Sequence, residues 1–114
     1  MTFAIDFEFH SIDGEPPRPH CMCWHVVETR EEGRLWTAEA GQHPVLPFTS
    51  KDLVICHYAL AELGCLLALN WGIPERLVDT LAEARVVRGQ ISPPDRWGLL
   101  GVAGAYGVDS MSFE

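Results

Sequence analysis

The residues best placed to do chemistry are acidic. Asp6 and Glu8 stand two apart in the run Ala4-Ile5-Asp6-Phe7-Glu8. In an extended strand, residues two apart point the same way, about 6.5–7 Å from each other. Two carboxylates so spaced can hold a pair of divalent ions about 3.5–4 Å apart, as two-metal phosphoryl transfer requires. Oxygen ligands suit Mg²⁺ or Mn²⁺. The plainer reading is a strand with one wet face, where such pairs are common. Glu62 is the third acidic candidate. It is the only charged side chain between His57 and Pro74, among Leu60, Leu63, Leu66, Leu67 and Leu69. A helix apolar almost all round is buried on most faces. An ionised carboxylate there is costly unless it is paired or binds a metal. Its place in the first turns offsets part of that cost, because a helix N-terminus favours negative charge. The alternative is a narrow wet stripe or an arginine partner.

Other residues carry weaker signals. Asp79, just before Thr80, could ligate a metal, but a capping or turn role explains it well. His20, Cys21, Cys23 and His25 form a donor-rich cluster that invites a zinc reading. On a strand, however, Cys21, Cys23 and His25 share one face and splay apart, whereas zinc sites gather their sulfurs on a turn. His10 shares the polar face of Asp6 and Glu8. His57 and Tyr58 fall where a strand becomes a helix, so these three could line a substrate. Arg85 and Arg88 could touch phosphate, or could be solvated residues near a helix C-terminus.

These residues need a frame. Residues 2–10 alternate, with Phe3, Ile5, Phe7 and Phe9 on one face and Asp6, Glu8 and His10 on the other, which predicts a strand. Gly14, Pro16, Pro17 and Pro19 mark a loop. Residues 20–29 and 33–39 read as a hairpin with its turn at Glu31-Glu32-Gly33. Residues 40–51 are loop-like, and Leu53 to Cys56 is a short buried strand. A helix is predicted from Tyr58 to Asn70, ended by Gly72 and Pro74. Leu77–Val78 is a candidate short strand. Thr80 and Glu83 form a capping-box pattern for a second helix, which Gly89 stops after Val87 or Arg88. A third helix is expected from Asp95 to Tyr106, with Gly107 as its C-terminal cap. The order implies a mixed α/β sheet with helices on its faces.

The 114 residues fit one small domain, and an apolar fraction of 47% is enough for a thin core. No stretch has the roughly 18–20 apolar residues of a membrane span. Asp6 and Glu8 interrupt the first apolar run, unlike a signal peptide, so a cytoplasmic location is expected. The four cysteines are then expected as free thiols. A net charge of −8 argues against a protein that simply coats DNA. Acidic residues can still act on nucleic acid through bound divalent cations.

Taken in order, these pieces resemble the DEDD-type 3′–5′ exonucleases, most closely the exonuclease domain of DNA polymerase I-like (family A) DNA polymerases of bacteria and phages. Ala4-Ile5-Asp6-Phe7-Glu8 is similar to the first exonuclease motif. Cys56-His57-Tyr58-Ala59-Leu60-Ala61-Glu62-Leu63-Gly64-Cys65 resembles the second, with Glu62 where many members place Asp. Val78 to Arg85 is similar to the family's Asp-Thr segment, and Gly98 to Val108 to the helix after it. The resemblance implies a ribonuclease H-like fold with a mixed five-stranded sheet, its first three strands mostly antiparallel, and flanking helices. It implies Asp6, Glu8 and Glu62 as catalytic metal ligands for two Mg²⁺ or Mn²⁺ ions, and proofreading-type attack on the 3′-terminal phosphodiester of single-stranded DNA. A polymerase domain or another replication protein is the implied partner, in a bacterial or phage-infected cell. The family's third motif, a Tyr or His four residues before an Asp, has no match. Tyr106 and Asp109 are three apart, and Asp109 or Glu114 would have to substitute. The expectation is an incomplete domain. Two readings stand beside it: a catalytically silent nucleic-acid-binding or structural module, and a small zinc-binding interaction domain.

Overall fold

The computed structural model describes residues 1–108. Five strands form one mixed sheet: β1 (Thr2–His10), β2 (Arg18–Val26), β3 (Glu32–Trp36), β4 (Leu53–Cys56) and β5 (Leu77–Asp79). Their spatial order is β3-β2-β1-β4-β5. β1, β2 and β3 pair antiparallel, while β1, β4 and β5 run parallel. A one-turn helix α1 (Thr37–Ala40) follows β3, and α2 (Ala59–Leu69) links β4 to β5. Helices α3 (Thr80–Arg88) and α4 (Leu99–Ala105) complete the described chain. No helix among the described residues is long and apolar enough to cross a membrane.

The period-two pattern of β1 explains its central place. Phe3, Ile5 and Phe7 face the core, opposite Val26, Trp24 and Met22 of β2. Cys65 and Leu66 of α2 and Trp71 after it join this cluster. Phe3 packs tilted or edge-on against Trp24 and Phe48, with ring centroids 6.2 and 6.3 Å apart. Leu81 and Ala84 of α3 and Val102 of α4 are buried outside that cluster. The other side of β1 presents Ala4, Asp6 and Glu8, opposite His25, Cys23 and Cys21.

Four local expectations change. The hairpin turn falls at 27–30, with Arg30 in the left-handed region (φ 64°) and its N–H donating to the Val26 carbonyl at 2.8 Å. Glu32 and Gly33 instead belong to β3, and Gly33 is required there because a Cβ would strike the Trp24 ring. Residues 37–40 leave the strand as α1, where the Thr37 hydroxyl donates to the Pro19 carbonyl at 2.8 Å. The cap of α3 is Asp79, not Thr80: the Asp79 carboxylate takes the Leu81 and Ala82 N–H groups. Finally, α4 starts at Leu99 rather than Asp95. The preceding stretch is held away from the helix because the Trp97 carbonyl bonds His57.

Candidate active site

Strand lengths create the site. β4 pairs with β1 only from Thr2 to Ala4, so Asp6 projects beyond the end of β4. The chain leaves β4 at Cys56, turns through His57 and Tyr58, and enters α2 at Ala59. Tyr58 makes that turn in the left-handed conformation (φ 71°), unusual for a bulky residue. The first turn of α2 then brings the Glu62 carboxyl close enough to Asp6 for each group to shift the other. The open end of parallel strands is where α/β sheets usually bind ligands.

Glu62 is only 3% exposed, and its Oε2 has no hydrogen-bond partner among the described residues. Burial, joined by the nearby Asp6 and Asp79 charges, pushes its carboxyl up to about 7, against relief from its own and the Phe7 backbone N–H groups. Burial and then the Glu8 charge also raise Asp6, although contact with Glu62 lowers it in part. The surroundings are uniformly hostile to negative charge: burial and these carboxylates push the Cys56 thiol up to about 12 and Cys65 to about 11. Glu62 is buried and Asp6 beside it is exposed, and a buried carboxyl so placed takes up a proton or binds a cation.

Glu8 lies on the same strand face and close enough for its charge to raise Asp6, and both residues are exposed. Among the described residues, no three His, Cys, Asp or Glu side chains gather tightly enough to hold a metal ion as they stand. That applies to Asp6, Glu8 and Glu62 together, and equally to the zinc candidates. Cys21, Cys23 and His25 lie along β2 opposite Glu8, Asp6 and Ala4, splayed as a strand requires, and the register slips beside His20. His25 pairs instead with Glu32 at 3.6 Å.

Asp79 has a different task. Its two oxygens accept from Tyr58 N–H (2.9 Å), Ala59 N–H (2.8 Å), Leu81 N–H (2.9 Å) and Ala82 N–H (3.4 Å). One carboxylate therefore caps α3 and clasps the start of α2. Partial burial raises its carboxyl, but these four donors outweigh that and hold it below the usual range.

A groove of about 380 Å³ opens beside Asp6, walled by Ala4, Cys23, His57, Thr80 and Leu99 among others. Glu62 and Glu8 do not line it, so Glu62 supports Asp6 from behind. His57 forms part of the wall with both ring nitrogens engaged, to the Thr80 hydroxyl and the Trp97 carbonyl, each at 2.8 Å. Tyr58 is 47% exposed, outside the groove lining, and His10 stands exposed at the far end of β1. Reading the sequence missed Thr80, Leu99 and Cys23 as groove residues, and Trp97 as the support behind His57. Trp97 lies 40 positions from His57 and acts through its carbonyl, which carries no side-chain signal. Asp109 and Glu114, the conceivable substitutes for a fourth carboxylate, lie outside the described residues. No protein-family model matches the chain, and a search of curated proteins returns no match.

Proposed function

We propose that this chain is a ribonuclease H-like domain of the DEDD exonuclease kind, which hydrolyses 3′-terminal phosphodiesters of single-stranded DNA as part of a polymerase-like protein. One observation carries the reading: a buried glutamate, with one oxygen unpartnered among the described residues, lies beside an aspartate at the open end of two parallel strands. A purely structural carboxylate would resemble Asp79, with N–H donors on both oxygens. Glu62 instead keeps an acceptor free where water is excluded, which fits a cation better than a fold contact.

The donor set fits Mg²⁺ or Mn²⁺ in kind. Asp6 and Glu62 would hold the ion, and Glu8, two residues along the same face, would add an oxygen ligand. When bound, such ions supply an activated water and neutralise charge on the leaving oxygen. The chain's own residues do the rest. Asp6 presents its carboxylate to the groove. Glu62 fixes Asp6 from the dry side and stores a proton when no cation is present. His57, tied to Thr80 and Trp97, keeps one groove wall in place. The groove is large enough for the sugar and base of a terminal nucleotide.

The exposed positions of Asp6 and Glu8 and the lack of a ready three-donor group among the described residues favour a second reading. In it, the same domain is catalytically silent and serves as a nucleic-acid-binding or structural module. A 3′-labelled single-stranded oligonucleotide, incubated with Mg²⁺, Mn²⁺ or chelator, separates the two. Metal-dependent release of single nucleotides, abolished by Asp6→Ala and by Glu62→Ala, is the expected outcome. No release with either metal would leave the silent module.

A further inference from the structure

The charge of this acidic protein is unevenly placed. Residues 1–79 hold five Lys and Arg against twelve Asp and Glu, whereas residues 80–108 hold three arginines against two acids. All three arginines belong to α3, α4 and the segment between them, and two lie over aromatic rings. The Arg85 guanidinium sits 5.6 Å from the Trp97 ring centroid, and Arg88 sits 4.9 Å from that of Tyr106. Arg88 is further fixed by Ser92, through Nε to its carbonyl at 3.1 Å and a terminal nitrogen to its hydroxyl at 3.3 Å. Among the described residues, none of Arg85, Arg88 and Arg96 pairs with a carboxylate; the ion pairs there lie elsewhere.

This ledge joins the groove. Trp97, under Arg85, gives its carbonyl to His57, and His57, Thr80 and Leu99 wall the groove that reaches Asp6. Arg88 and Arg96 also line a separate hollow of about 590 Å³, together with Asp95, Pro93, Pro94 and Leu100. Guanidinium groups held over rings lose less freedom on binding, and their remaining N–H donors match phosphate oxygens in geometry. The rings themselves offer faces on which bases stack.

We infer that the Arg85–Trp97 and Arg88–Tyr106 ledge binds the phosphate backbone of single-stranded nucleic acid and leads it toward the groove at Asp6. The inference deepens the proposed function and rests on its nucleic-acid substrate, but binding can be read without hydrolysis. On this account the acidic sheet repels the strand everywhere except along the ledge, so register depends on a few arginines.

The test is fluorescence anisotropy with a labelled 12-nucleotide oligo-dT in chelator, at several salt concentrations. The wild-type chain is expected to bind with affinity that falls as salt rises. The double variant Arg85→Gln, Arg88→Gln should bind weakly, with the slope of log affinity against log salt reduced by about 1.4, for two phosphates at roughly 0.7 each. Arg85→Lys with Arg88→Lys keeps the charge and should keep most of the slope, and Arg34→Gln, whose guanidinium lies over Trp36 on β3, should change neither quantity. Circular dichroism melts check that each variant is folded. No binding by the wild type, an unchanged slope in the glutamine variant, or an equal loss in the Arg34 control would each overturn the assignment. Binding in chelator without any metal-dependent digestion would keep the ledge and remove the nuclease reading.

Discussion

Two carboxylates sit beside the start of α2, and they have opposite fates. Asp79 ends β5 and collects four backbone N–H groups from two chain segments. Glu62, one turn into α2, is almost fully buried, and one of its oxygens has no hydrogen-bond partner among the described residues. The first is held below its ordinary pKa and the second is pushed up to about 7. Both lie near the same helix end, so position on a helix does not decide the role. The number of N–H donors that tertiary structure delivers does. A satisfied carboxylate holds the fold together; an unsatisfied one is held by the fold, at a cost that a bound cation would remove.

The largest expected effect comes from making Glu62 resemble a satisfied group. Glu62→Gln carries no charge, and its amide can donate to Asp6. Metal-dependent hydrolysis should fall by more than about a hundredfold, since losing even an outer-shell partner of a metal ligand costs 10–100-fold. In chelator at pH 8, the same variant should be more stable than the wild type by about 3 kcal/mol, the equivalent of moving a carboxyl from 4.5 to about 7. Urea unfolding measures this directly. A variant less stable than the wild type at pH 8 would place Glu62 with Asp79 as a structural residue.

The pH dependence sharpens the contrast, because the two groups have opposite signs. The folded state binds the Glu62 proton more tightly than the unfolded chain does. Its contribution is therefore largest below about 4.5 and is lost as pH rises through about 7. Asp79 is depressed, so its contribution is present above its unfolded pKa near 3.8 and is lost as pH falls through the lower folded value. In chelator, wild-type stability should decline from pH 5 to pH 8, and Glu62→Gln should flatten that decline. Millimolar Mn²⁺ should restore stability at pH 8 by mass action in the wild type but not in the variant. Identical pH profiles for the two proteins would mean that the Glu62 carboxyl is not strained.

Asp79→Ala is the converse experiment. It strands the N–H groups of Tyr58 and Ala59 as well as those of Leu81 and Ala82. Two helix starts at about 1 kcal/mol each give a loss of about 2 kcal/mol. For a domain of this size the melting temperature should drop by roughly 8 °C. Residual hydrolysis below the new melting temperature should persist in Asp79→Ala, unlike Glu62→Gln. Loss of activity with an unchanged melting temperature would reverse the roles assigned to the two carboxylates.

The sequence carried the parts of this frame that depend on local pattern. Alternation in residues 2–10 marks β1, the apolar run after His57 marks α2, and the solitary charge in that run singles out Glu62. Asp79 was legible as a cap because Asp before a helical stretch is a local signal. What was not legible depends on contacts between distant segments. The place of β1 between β2 and β4 follows from pairing, and the early end of β4 is what exposes Asp6 to α2. The single turn of α1 gains its anchor from the Pro19 and His20 carbonyls, 18 and 17 residues away. The groove wall depends on a carbonyl at Trp97, and Asp95 to Gly98 stays out of α4 despite its favourable prolines.

The smallest expected effect lies between the two carboxylates, at Tyr58. Its left-handed backbone (φ 71°, ψ 71°) costs a non-glycine residue about 1–2 kcal/mol. Asp79 stabilises that conformation by accepting the Tyr58 N–H, and the turn is what aims α2, and therefore Glu62, at Asp6. Glycine adopts the conformation freely but loses about 0.5–1 kcal/mol through the greater freedom of the unfolded chain. Tyr58→Gly should therefore stabilise the fold by at most about 1.5 kcal/mol, the difference of these two opposed effects. Because the ring is half exposed and outside the groove lining, hydrolysis at saturating oligonucleotide should change by less than about threefold, the rate equivalent of well under 1 kcal/mol. A large rise in KM at unchanged stability would instead make Tyr58 a substrate-contacting residue, and a large loss of stability would mean that the ring, rather than Asp79, holds the turn.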